Sequence, residues 1–239
     1  MVSCSSSSEK NKEQDVVVIH ALSEPENLNP FTSSDAQATQ IKSNIFQRLL
    51  QYDYKTLKLV PVLADSLAEI HAEGKGVALT FRFRPEARWD NGEPITARDA
   101  VFSFKSILCP KVNSDAVKSY FEFVDDIKLY DDDSLKFTVL TKKPYMLAQD
   151  IIGYDMTIMP EYIFDSKHIL REFPVKDFTN QSEAFINNPK LKAFADAFNS
   201  EEFGRSTEKI LGSGAYKLAD WQTQQRVILE RKDNWWGDK

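Results

Sequence analysis

Histidines, cysteines, hydroxyls and paired carboxylates are where chemistry would begin in this chain. His20, His71 and His168 are its three histidines. None stands beside cysteine or carboxylates at the spacing a zinc or iron site needs, so no autonomous metal site is expected. Gly212-Ser213-Gly214 fails the Gly-x-Ser-x-Gly spacing that lets a backbone turn sharply beneath a nucleophilic hydroxyl. Glu73-Gly74-Lys75-Gly76 lacks the Gly-Lys-Ser/Thr ending that sets an ammonium and a hydroxyl on phosphate and Mg²⁺, and it reads as a turn. Glu24 with Glu26, or Glu86 with Asp90, supplies carboxylates for acid–base work, but these acids sit on polar loops and nothing makes them converge. A hydrolase using acids on loops 23–30 and 86–93 is therefore the weakest functional reading, and no cofactor is implied.

The 239 residues are 42% hydrophobic and 12% aromatic, enough to bury a substantial core. Thirty Lys and Arg against 36 Asp and Glu leave a net charge of −6, which argues against nucleic acid as a partner. No apolar run approaches the roughly 20 residues that span a bilayer. Cys109 ends the apolar run from Phe104 and reads as a small buried thiol, with a disulfide to Cys4 a poor alternative. Met1-Val2-Ser3-Cys4 gives Cys4 the small-residue context of a bacterial lipoprotein cysteine. Ser5 to Ser8 and the polar stretch to Gln14 then read as a tether over residues 1–14, after an export signal has been removed. The other reading of this stretch is an unstructured terminus.

The elements that would position these groups are legible in part. Val16-Val17-Val18-Ile19 suits a strand buried on both faces. Leu22 to Pro30, with two prolines and several turn formers, predicts an ordered loop of the kind that carries function. From Asp35, Ile41, Ile45 and Leu49 recur every four residues, which predicts an amphipathic helix capped by Ser34 or Asp35 and ending near Tyr52. Val77, Leu79, Phe81 and Phe83 alternate with polar or small residues, predicting a strand with one face in the core. Asn91-Gly92 supplies a turn, and Thr96 with Asp99 a capping box for a helix carrying Ala100, Phe104 and Ile107. Ile127 and Leu129 pair with Leu135, Phe137 and Val139 across the Asp131 to Ser134 turn. Residues 171–210 form a polar insertion with a short helix after Pro189, given no role, and 215–218 with 227–230 make a last hairpin.

Three segments, in order, resemble the bacterial solute-binding protein family 5, the peptide- and nickel-binding proteins of ABC importers. Glu24-Pro25-Glu26-Asn27-Leu28-Asn29-Pro30 is similar to the family's N-terminal loop and precedes Asn44 to Asp53. Phe81 to Val101, holding Trp89-Asp90-Asn91-Gly92, resembles its signature of strand, turn and capped helix. Gly212-Ser213-Gly214-Ala215-Tyr216 and Asn234-Trp235-Trp236-Gly237 resemble its last motifs. Ala215 departs from the family's proline and Trp235 from its tyrosine, and the insertion at 171–210 is long.

The resemblance implies a mixed α/β chain, a lobe of the class II periplasmic binding protein type with the second lobe missing. Residues 15–52 and 145–239 would form the main ligand-binding lobe, and 53–144 a smaller inserted α+β subdomain. It implies no enzyme but a monomeric carrier of a small-molecule or peptide solute, delivering it to ABC permease subunits outside the cytoplasmic membrane and touching that membrane only through a lipid on Cys4. By position in the motifs the ligand wall would include Ser23, Glu24, Asn27, Phe31 and Ser33. Tyr120 stands where relatives set an aromatic against ligand, and Met156 where nickel-chelate binders have arginine. Gly212, Gly214 and Tyr216 would shape the backbone near the hinge, while Trp89 and Trp236 read as packing residues outside the site. A secreted or lipid-anchored module that docks a protein is the alternative from another class.

Overall fold

The computed structural model describes residues 16–238. Cys4 and the 1–14 segment lie outside the described residues. Helix α1 (Ala36–Ile45) starts where Asp35 accepts from the Ala38 N–H at 2.8 Å, and it buries Ala38, Lys42 and Ile45. It ends earlier than its apolar spacing predicts. Gly214 donates its N–H to the Ile45 carbonyl at 2.8 Å, and beyond the extended Phe46 the chain turns into β1 (Leu50–Tyr52), which pairs with β2 (Leu59–Pro61). Leu49 and Leu50 are fully buried there, so the apolar period spans the end of a helix and the start of a strand.

An antiparallel sheet of order β3-β4-β6-β5 follows, from β3 (Glu69–Glu73), β4 (Gly76–Arg82), β5 (Val124–Leu129) and β6 (Lys136–Thr141). Phe81 and Phe83 pack on Phe137 with ring centroids 5.8 and 5.7 Å apart, the centre of the core. Strand β4 is central, and its other face is covered too: Ala78 and Thr80 are buried, and the Thr80 hydroxyl bonds that of Thr138 at 2.7 Å. Tyr130 lies over that face, its hydroxyl 2.8 Å from Thr138 Oγ1.

Helix α2 (Ala97–Leu108) begins with the expected capping box, Asp99 accepting from the Thr96 N–H at 2.8 Å. Nearly all of it is buried, because α3 (Asp115–Lys118), α5 (Glu161–Phe164) and α6 (Val175–Asn180) pack against it and Phe194 of α8 (Pro189–Phe198) meets Phe102; the other short helices are α4 (Ala148–Asp150), α7 (Glu183–Ile186) and α9 (Glu201–Arg205). Lys105 survives burial by donating to the Leu170 and Phe173 carbonyls at 2.9 and 2.6 Å. The hairpin β7 (Tyr216–Gln222) and β8 (Arg226–Arg231) packs against α1. Cys109 is a free, buried thiol, as its apolar run predicts, and burial pushes its pKa up to about 12.

The expected strand at Val16-Val17-Val18-Ile19 is absent. These residues pair with no strand among the described residues, and Val18 is 89% exposed. Apolar β-branched residues favour a strand only where a neighbour supplies ladder hydrogen bonds and cover. The 171–210 segment, by contrast, has a structural role. Leu28 donates its N–H to the Gly204 carbonyl at 2.7 Å, Asn29 Nδ2 donates to the Phe198 carbonyl at 3.1 Å, and Phe31 stacks on Phe198. Helices α8 and α9 thus fix the 24–31 loop. Phe137→Ala should cost about 3–5 kcal/mol by removing the ring shared by Phe81 and Phe83, read as a lowered urea midpoint.

Candidate functional site

A cavity of about 180 Å³ opens where the loop after Pro30, helix α1, the α3 region and the chain around Asp155 meet. Phe31 and Ser33 enter from the loop, Lys42 and Phe46 from α1 and its end, and Tyr120 from the far side. Asp35 fixes the loop by accepting from the Ser33 hydroxyl at 2.8 Å while capping α1. Lys42 fixes it from below, its ammonium donating to the Ser33 and Pro30 carbonyls at 2.5 and 3.4 Å. The opposite wall is positioned by backbone pairing: Arg48 bridges Thr157, and Ile158 donates to the Gln47 carbonyl at 3.0 Å. Residues 151–155 form a single π-helical turn, which presents Asp155 to the cavity. Gly153 packs closely on Leu50 in that turn: a Cβ there would stand 2.4 Å from Leu50 Cδ1, so the leucine side chain would have to shift.

The electrostatics follow from burial. Desolvation drops the Lys42 pKa to about 8, although the Asp35 charge works to raise it and Arg48 lowers it further. Burial likewise raises Asp155, with Arg48 opposing and Asp150 adding to the shift. The Arg48 guanidinium lies 4.5 Å from the Tyr154 ring centroid. Hydroxyls of Ser34, Thr39, Ser43 and Thr157 complete a lining of mixed polarity. Such a lining can bind a small polar solute. It holds no histidine or cysteine, and among the described residues no His, Cys, Asp and Glu group is arranged to hold a metal.

Of the residues singled out in the sequence, Phe31, Ser33 and Tyr120 line this cavity. Met156 lies between two lining residues but is fully buried itself. Ser23 is exposed and away from the cavity. Asn27 is used within its own loop, its side chain accepting from Asn29 N and the Thr32 hydroxyl at 2.9 and 3.1 Å. The Glu24 carboxylate is already occupied: it accepts from Trp221 Nε1 at 2.7 Å and Gln224 N at 3.2 Å and faces Arg205 at 3.6 Å. It ties the loop to the β7–β8 hairpin. Gly214 and Tyr216 stand behind α1, where a Cβ on Gly214 would meet the Asn44 and Ile45 carbonyl oxygens at 2.3 and 2.7 Å.

The motifs converge on one another more than on the cavity. Asp90 forms an ion pair with Lys232, which also donates to the Gly212 carbonyl at 2.7 Å. Trp235 and Trp236 donate their indole N–H groups to the Ser213 carbonyl at 2.8 and 2.9 Å. Sequence reasoning missed Lys42, Arg48, Asp155 and Thr157. A signal existed for Lys42, which sits on the same helical stripe as Ala38 and Ile45. The other three come together only through backbone pairing between distant segments.

A family model described as bacterial extracellular solute-binding proteins, family 5 Middle, matches residues 58–239. The dipeptide-binding protein DppE of Bacillus subtilis is 25% identical over 241 residues, covering 95% of this chain and 37% of its own length. The periplasmic oligopeptide-binding protein OppA of Haemophilus influenzae is 26% identical over 229 residues, covering 95% of this chain and 38% of its own length. The chain thus spans little more than a third of the length of these relatives. Among solved structures, an oligopeptide-binding protein of Thermus thermophilus complexed with a pentapeptide matches with a TM-score of 0.66 and 21% identity, over 89% of this chain and 36% of that one. That likeness establishes a shared fold.

Two outcomes test the geometry. The Lys42 side chain should titrate near pH 8 by ¹³C NMR. Because its folded pKa lies below the usual value of 10.5, its contribution to stability is complete above 10.5 and is lost as pH falls through about 8. Stability should therefore climb between pH 8 and 10, less so in Lys42→Met; a midpoint near 10.5 would mean that the ammonium is solvated. Asp90→Ala should cost about 3 kcal/mol in urea unfolding, because it strands the largely buried Lys232 ammonium.

Proposed function

The chain belongs to the bacterial extracellular solute-binding proteins, family 5, and from this premise we propose that it supplies one wall of a binding site for a small oligopeptide or dipeptide. In this reading the peptide is captured outside the cytoplasmic membrane and passed to the permease of an ABC importer, with no covalent step. The observation that carries the proposal is the meeting of Phe31, Ser33 and Tyr120, from segments nearly 90 residues apart, around one polar-lined cavity. Relatives described as dipeptide- and oligopeptide-binding support peptide as the solute class. The organisation proposed with it is a main lobe from residues 15–52 and 145–239, with 53–144 as an inserted subdomain. In its favour, the four-stranded sheet falls wholly between Glu69 and Thr141. No helix among the described residues is long and apolar enough to cross a membrane. Attachment through a lipid on Cys4 is part of the same proposal.

A site with one wall leaves much of a bound peptide in water, so binding by this chain should be weak, with a Kd on the order of 1 mM. At roughly ten times that concentration, di- to pentapeptides should stabilise the chain by about 1.4 kcal/mol and raise its melting temperature by about 3–6 °C. Maltooligosaccharides and nickel–histidine complexes should not. In ¹H–¹⁵N spectra the peptides should shift the amides of Ser33, Phe31 and Tyr120. Peptide shifts confined to residues away from this cavity would refute the site, and a response to sugars alone would refute the solute class.

A further inference from the structure

Arg48 is the one guanidinium lining the cavity, and its surroundings hold it in place without satisfying it. Among the described residues it makes no side-chain hydrogen bond and no ion pair within 4.0 Å. It rests on the Tyr154 ring, at 4.5 Å, and that ring is braced edge-on by Tyr52 with centroids 4.9 Å apart. Tyr52 is itself fixed, its hydroxyl donating to Asp150 Oδ1 at 2.5 Å. A planar fork of N–H donors is thus oriented by an aromatic stack, with no side-chain or backbone acceptor among the described residues.

Lys42 lines the same cavity, and its two acceptors are neutral carbonyls, so neither hydrogen bond cancels its charge. Asp35 stands near it but is engaged by Ser33 and the start of α1. The single acid in the lining, Asp155, makes no ion pair with either cation within 4.0 Å among the described residues, and burial works against its charge. Two cations therefore face one acid across a space of about 180 Å³. A carboxylate suits this arrangement better than an amide carbonyl or a sugar hydroxyl. Its two oxygens match two parallel guanidinium N–H bonds, and such charge-assisted pairs are roughly twice as strong as neutral ones. Phe31, Phe46, Val117 and Tyr120 offer apolar surface for the carbon chain that bears it.

We propose that this cavity takes a carboxylate group of the bound solute on the Arg48 guanidinium, with Lys42 as the second cation, so that this wall favours solutes that present a carboxylate to it. The inference rests on the peptide-site reading above and adds to it the chemical group by which this wall recognises its solute. The carboxylate can come from an acidic side chain or from a C-terminus.

The test titrates the chain with three tripeptides: acetyl-Ala-Glu-Ala-amide, acetyl-Ala-Gln-Ala-amide and acetyl-Ala-Gln-Ala with a free C-terminus. Affinity is read from the Ser33 and Tyr120 amides, and engagement from the Arg48 Nε–Hε resonance. The Glu peptide, the free-carboxylate peptide or both should bind about 3- to 5-fold more tightly than the uncharged one and move the Arg48 resonance. Whichever of the two does so identifies the source of the carboxylate. Arg48→Gln should erase that ratio while leaving the weaker affinity in place, and Arg48→Lys should keep part of it; the melting temperature of each variant checks that it is folded. Equal affinities for all three peptides at the cavity, or a ratio unchanged in Arg48→Gln, would overturn the carboxylate site and leave the peptide reading standing. No peptide effect on the cavity amides at any concentration would overturn both.

Discussion

The carbonyl end of α1 is the contact on which the remaining geometry depends. Gly214 donates its N–H to the Ile45 carbonyl, and the Gly212 and Gly214 backbones lie so close to that helix end that a Cβ on either would collide with it. Stopping the helix there releases Phe46, Gln47 and Arg48 into the extended path that pairs with Thr157 and Ile158. Both long walls of the cavity follow from that stop, one from α1 itself and one from the strand-like pairing beyond it. The glycine segment is held in turn by Lys232 on the Gly212 carbonyl and by two indoles on the Ser213 carbonyl. The motif residues farthest from the cavity in sequence therefore set its shape from behind.

The same chain sorts its charged groups by whether the fold uses them. Glu24 is bound by Trp221, Gln224 and Arg205, Asp90 by Lys232, and Glu161 by the Arg171 guanidinium at 2.7 and 2.5 Å. Asp99 accepts from Thr96 and from the Glu161 N–H, and burial still raises its pKa to about 6. These acids hold loops and helix starts, which is why carboxylates on conspicuous loops make poor candidates for chemistry here. A buried charge that is paired costs little further, whereas an unpaired one must be explained by what it awaits. Arg48 and Asp155 are half-buried at the cavity, and neither has an ion-pair partner within 4.0 Å among the described residues.

Much of the fold was legible because its signals are local. The capping box at Thr96 and Asp99, the alternation from Val77 to Phe83 and the stripe through Leu191, Phe194 and Phe198 each declare an element within a few residues. The misreadings share one cause. The helix expected to run to Tyr52 stops at Ile45 because of Gly214, which lies 169 residues away, and Val16 to Ile19 stay unpaired although their composition favours a strand. The site divides in the same way. Phe31, Ser33 and Tyr120 could be placed through family motifs, but of the charges that face the same space only Lys42 left a signal, on its helical stripe. Arg48 and Asp155 owe their positions to a bridge between segments about a hundred residues apart, and no spacing in the sequence encodes it.

The size of the cavity limits what this surface does by itself. Sites that bury most of a small ligand enclose about 300–1,000 Å³, and this one offers about 180 Å³ and is open to solvent. In that setting a guanidinium–carboxylate pair is weakened by competing water and contributes little more than an exposed ion pair, whose usual worth is below about 1 kcal/mol. Covering the cavity would change the balance, because the same pair strengthens as water is excluded while the Tyr154 platform has already fixed the donor's orientation. A wall of this kind would discriminate only modestly while open and much more strongly if covered. On the proposed reading, discrimination would therefore grow with closure, and a solute without the matching group would leave the guanidinium desolvated and unpaired at the step where that costs most.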